Sequence, residues 1–145
     1  MNGAHFHLVV NHISLFSLLF GIVAYGLSLR KKSADLRTLA VGLFVLTGVF
    51  AVVAFESGEK AEDFLKTLGG GFESFVEPHE QAAVWALRSG ILIALLSVAY
   101  EWAVRSKKKA AKVLQWALLV FAIHGFTVFS VTAFLGGKVR HTEAR

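Results

Sequence analysis

The residues able to do chemistry in this chain are its histidines. Three of the six, His5, His7 and His12, crowd into "HFHLVVNH" at the N-terminus; the others are His79, His124 and His141. There is no cysteine, and the single methionine is Met1. Disulfides, thiolate metal sites, iron–sulfur clusters, covalent haem attachment and methionine ligation inside the chain are thereby excluded. Imidazole and carboxylate remain as ligands, and they suit haem iron, zinc or copper. The spacing H-x-H-x4-H is not a stereotyped metal motif. No nucleophile stands beside a base, so hydrolysis has no support. The run Gly69-Gly70-Gly71 lacks the Lys and Ser/Thr of a phosphate-binding loop.

These groups are positioned by strongly apolar segments. The chain has 145 residues, 55% hydrophobic, and a single proline; its mean hydropathy is +0.61. That is too apolar for an ordinary soluble domain. Four stretches approach the roughly 20 apolar residues a membrane helix needs: about 9–29, 39–55, 82–104 and 113–135. The connections between the first and second and between the third and fourth are short, which implies antiparallel neighbours. The expected fold is all-α: an integral membrane up-down-up-down four-helix bundle, a single domain over 1–145. The first stretch has no basic n-region and carries "RKK" on its far side, so it reads as a retained anchor and not a cleaved signal peptide.

Charge gives the orientation. The formal net charge is +5, and nine of the fifteen Lys and Arg are clustered in two connections. "RKKSADLR" and "RSKKKAAK" fill the first and third connections, whereas the middle connection, 56–81, is acidic. Short basic loops stay in the cytoplasm. Both termini and the acidic loop are therefore expected outside, in a periplasm. The basic charge marks topology, not nucleic-acid binding.

With that topology, five of the six histidines gather at the outer end: His5, His7, His12, His79 and His141. His12 lies about a turn inside the first span, beside Asn11, where a polar pair needs satisfaction. His79 reaches a similar depth at the head of the third span, and His141 follows the fourth. Two of His12, His79 and His141 are candidates for bis-histidine haem ligation, with Arg140, Lys138 or Arg88 holding the propionates. The alternative is a divalent metal held by His7, His12, His79 and His141 with Glu59 or Glu80. Plainer roles exist for several of these. Pro78 and Glu80 suit a helix start, and Gly136-Gly137 suits a helix stop. Arg88, well inside the third span, is expected to pair with Glu56 or Glu59. His124 is expected to hydrogen-bond a Ser or Thr on a neighbouring helix.

The placed motifs resemble a large group of four-span bacterial membrane proteins that open with H-P-x-x-V-H-F-P and close with W-L-G-G-x-x-x-x-R-H. Here His7 and His12 match the opening pair, His79 a histidine at the head of the third span, and "FLGGKVRH" the close. Leu8 and Ser14 stand where the group has prolines. The chain is also similar to a narrower set with "SGE…AE" after the second span, matched by Ser57 to Glu62, and "GG-x-[IV]-R-H-x-E" at the end, matched by Gly136 to Glu143. No settled activity attaches to the group, but its members are often fused to or found beside c-type cytochrome or Rieske-like domains. The resemblance thus implies redox work and favours haem b. The expectation is an electron-transfer protein or redox-complex subunit of the bacterial inner membrane, partnered by the bilayer and a periplasmic cytochrome or larger redox complex. The alternatives are a non-haem metal protein and an accessory structural subunit.

Overall fold

The computed structural model describes residues 3–66 and 73–140. They form four helices: α1 (Gly3–Lys31), α2 (Ala34–Lys66), α3 (Glu73–Arg105) and α4 (Ala111–Arg140), with no strand among the described residues. Each helix is long and apolar enough to cross a membrane, over His5–Lys31, Ala34–Asp63, Ser74–Arg105 and Ala111–Val139. This is the make-up of a multi-pass membrane protein. A helix of 30 residues measures about 45 Å, against about 30 Å of hydrocarbon, so the helices overrun the apolar layer.

The overrun corrects three expectations. Residues 56–66 were expected in the acidic connection but belong to α2. Their charge keeps them out of hydrocarbon, yet Glu, Lys and Ala are good helix formers. Pro78 lies inside α3 and does not start it. So near the helix start it forfeits one backbone bond and leaves the rest of the ladder intact. Gly136 and Gly137 do not stop α4, which runs on to Arg140. The triple glycine at 69–71 and His141 lie outside the described residues.

The two short connections are built alike. Lys32 and Lys107 both adopt φ of 52°. Ser33 N donates to Ser28 O, and Lys108 N donates to Ala103 O. These are the six-to-one bonds of a Schellman ending, with lysine where glycine is usual. The cationic side chain suits the negative end of the helix dipole. Ser33 then caps α2, its Oγ accepting from Leu36 N at 3.3 Å.

Consecutive helices pack closely, whereas α1 meets α4 sparsely. Small residues bring α2 and α3 together: a Cβ on Gly48 would lie 2.8 Å from Ala94 Cβ and 3.0 Å from Gly90 O. Such close backbone approach is the usual basis of helix association in lipid. Toward the two short turns the core is filled by Tyr25, Phe44 and Tyr100, with Tyr25 edge-on to both rings. Tyr25 Oη donates to Gln115 O at 3.0 Å, tying α1 to α4. Glu101 accepts from Arg37 Nε at 2.7 Å and from Arg105 Nε at 2.6 Å. At the opposite end the four helices stand around a cavity.

Candidate functional site

The cavity has a volume of about 560 Å³ and is lined by all four helices. The start of α1, the end of α2, the start of α3 and the end of α4 meet here. Most of the wall is small or apolar: Ala51, Ala54 and Gly58 from α2, Ala83 and Ala86 from α3, Phe129 and Ala133 from α4. Into this wall are set two imidazoles, His7 and His79. Their ring centres are 6.4 Å apart and their planes stand at 86°.

Both rings are fixed at Nδ1. His79 Nδ1 is 3.0 Å from Thr132 O. A carbonyl can only accept, so Nδ1 carries the proton. Thr132 is itself anchored: its Oγ1 donates to Ala82 O at 3.1 Å and Val128 O at 2.9 Å. His7 Nδ1 is 3.0 Å from Ser57 Oγ. The Ser57 hydroxyl hydrogen is committed to Ala54 O at 2.9 Å, so Ser57 Oγ accepts and His7 Nδ1 also donates. Each ring in its neutral form then keeps a lone pair on Nε2. Neither Nε2 is sealed away, because among the described residues no buried side-chain nitrogen or oxygen lacks a partner.

Gly136 makes room for His79. A Cβ there would stand 2.8 Å from Cε1, 3.2 Å from Nδ1 and 3.4 Å from Nε2. Gly58 similarly faces His7, 3.7 Å from its Cε1. Gly136 of the double glycine is thus clearance for an imidazole, whereas a Cβ on Gly137 would meet nothing within 4 Å.

The expected site residues are distributed unevenly. His79 is central. His7, not His12, is the ring beside it. His12 lies five residues further along, about 140° around α1, with its ring exposed. It lines the cavity edge, is 2.6 Å from Leu8 O through Nδ1, and stands next to Phe16. Glu80 is exposed and also lines the cavity, as does Glu62, which sequence reasoning missed. The side chains of Glu59 and Arg140, and all of His141, lie outside the described residues. Ser57 and Thr132, which orient the rings, were not foreseen as such. Their signal was faint: Ser57 opens "SGE", and Thr132 sits one turn before Gly136.

Two intramembrane expectations are corrected. Arg88 does not pair with Glu56. It is exposed, outside the cavity lining, with its guanidinium 5.3 Å from the Trp85 ring centre. Trp85 is one turn nearer the cavity end of α3, and the long side chain reaches back toward it, as snorkelling side chains do. His124 does not bond a Ser or Thr of a neighbouring helix; it faces outward from α4. Among the described residues no three His, Asp or Glu side chains are grouped to hold a metal ion.

No protein-family model, curated protein or solved structure matches this chain. The resemblance to the four-span group rests on its motifs alone.

Proposed function

We propose that this protein is an up-down-up-down four-helix bundle of the bacterial inner membrane, termini outside, that binds haem b between His7 and His79 and carries electrons. The observation behind this reading is the pair of neighbouring imidazoles, edge-on at 6.4 Å and each tied at Nδ1, in a cavity walled largely by Ala and Gly. The donor set suits a porphyrin. Haem iron takes four nitrogens from its macrocycle and asks the protein for two axial ligands. A zinc site asks for three or four protein ligands. His7 and His79, their ring centres 6.4 Å apart, would hold the haem iron through Nε2.

When bound, haem supplies reversible one-electron chemistry. The chain supplies position and surroundings. Thr132 and Ser57 hold each ring in one tautomer and make Nε2 a better donor. Leu87 and Phe129 keep the wall apolar. The half-buried Lys138, its Nζ 4.7 Å from the Phe134 ring centre, brings positive charge to this end for propionates. The acidic stretch outside gives a cationic periplasmic cytochrome a surface to meet.

The test is a reduced-minus-oxidised spectrum of the purified protein after titration with haemin. A bis-histidine b-type spectrum, lost in both His7→Ala and His79→Ala and kept in His5→Ala, is expected. Stoichiometric zinc or copper without haem uptake would move the assignment to a non-haem metal protein. Neither haem nor metal would leave an accessory subunit.

A further inference from the structure

Among the described histidines, His124 is the one far from the cavity. It sits eight residues beyond Trp116 and fourteen before Lys138, so about 12 Å and 21 Å along α4 from those markers. An imidazole cannot reach an interface over either distance. It is exposed, and among the described residues it makes no hydrogen bond, ion pair or ring contact. Ionisable groups at such depth almost always face a bundle interior or a cavity and find a partner. This one faces out of its own bundle.

The surroundings are a continuous stripe. Val113, Trp116, Val120, Ile123, Val131 and Phe134 are all exposed, Val113 at 71% and Val120 at 62%. At 100° per residue they fall within about 60° on either side of one line along α4, and His124 and Thr127 fall inside the same band. Lipid can cover the apolar members, but it offers His124 no hydrogen bond. A helix that covers this stripe must present a polar group at the depth of His124.

We propose that α4 of a second copy of this chain covers the stripe, through a two-fold axis along the bilayer normal. That symmetry sets His124 of each copy at one depth with no further requirement. It also supplies partners in matched pairs. Thr127 is one turn away on the same face, and its Oγ1 donates only a long 3.4 Å bond to Ile123 O. It keeps a lone pair for the ring N–H of the facing His124, and the two-fold repeats that bond the other way. β-branched Val113, Val120 and Val131, at intervals of seven and eleven along the stripe, pack around the polar centre. The interface lies outside the cavity and stands whether or not the cavity holds haem.

The chain has no cysteine, so single cysteines can be read cleanly in the full-length protein reconstituted in liposomes. Val120→Cys and Val131→Cys should form disulfide-linked dimers on mild oxidation. Val23→Cys on α1 and Val49→Cys on α2, exposed to similar degrees at 51% and 53%, should not. His124→Leu, which keeps the apolar surface, should weaken dimerisation by about three- to twenty-fold, the range of one or two hydrogen bonds between membrane helices. His124→Gln should preserve it. A monomer in the bilayer, cross-linking at the α1 or α2 controls and not on α4, or undiminished dimerisation of His124→Leu would overturn the proposal. So would cross-linking of Val120→Cys in native membranes to a different polypeptide.

Discussion

His79 and Gly136 are in such close register that a Cβ on the glycine would lie 2.8 Å from the ring. Gly136→Ala must therefore push the imidazole off its 3.0 Å contact with Thr132 O. Gly137 is the matched control, since a Cβ there meets nothing within 4 Å. Alanine favours a helix by about 0.8–1 kcal/mol over glycine. Gly137→Ala should gain up to about that amount, while Gly136→Ala should lose haem uptake and gain no stability. Thermal unfolding and haemin titration of both variants check this; equal behaviour of the two would remove the steric argument.

Ser57 should act on His7 through the ring tautomer. Ser57→Ala removes the acceptor at Nδ1, and the cost to stability should be about 1 kcal/mol. The larger effect should be spectroscopic: imidazole nitrogen NMR should show His7 losing its single tautomer while His79 keeps its own. A shift at both rings would mean that Ser57 serves the fold of the cavity as a whole.

Glu101 joins two arginines that differ sharply in exposure. The Arg105 side chain is 65% exposed, Arg37 21% and Glu101 12%. Arg105→Gln should cost less than about 1 kcal/mol, as exposed pairs do. Arg37→Gln should cost about 1.5–3 kcal/mol, because it removes a hydrogen bond to a charged and largely enclosed carboxylate. Denaturation in a fixed detergent ranks them, and the reverse order would count against the burial argument.

Arg88 should be nearly silent in stability. Its contact with Trp85 is at an exposed site, where cation–π pairs contribute about 0.5–1 kcal/mol. Arg88→Leu should cost no more than that, and adding Glu56→Gln should change nothing further. A strong coupling between the two substitutions would restore the ion pair that this geometry lacks.

Orientation in the bilayer is open to direct labelling. Single cysteines at Glu77 and Lys108, both exposed, should divide. An impermeant thiol reagent should label Glu77→Cys in intact cells and leave Lys108→Cys unlabelled until the membrane is opened. The opposite result would turn the cavity to the cytoplasm.

The four helices were legible because about 20 apolar residues in a row admit few other readings. Their ends were not. Charge at 56–66 announces the edge of the apolar layer, and the helix simply continues past it. The meeting of histidines at one end followed from the alternation of apolar and basic stretches. Which two would meet did not follow, because depth in the membrane is only half of a side chain's position. His12 has a suitable depth but the wrong angle about α1, while His7 has the right angle. Gly136-Gly137 misled for a similar reason: the residue that ends a helix in water also permits an imidazole to lie against one, and only the neighbour decides between them. Arg88 and His124 were assigned inward partners from depth alone, and both turned out to face away from the bundle.

The sparse contact between α1 and α4 fixes an order of events during synthesis. Each helix finds its principal neighbour in the one made just before or just after it, so three of the four interfaces can form as the chain leaves the ribosome, with little loop-closure entropy. The α3–α4 and α1–α4 seams both wait for the last helix, and of the two only α1–α4 joins helices distant in sequence. His7 is then already beside Ser57, while Thr132 and Gly136, which seat His79, are the last to arrive. The cavity is therefore open on one side, with three of its walls in place, until α4 is delivered.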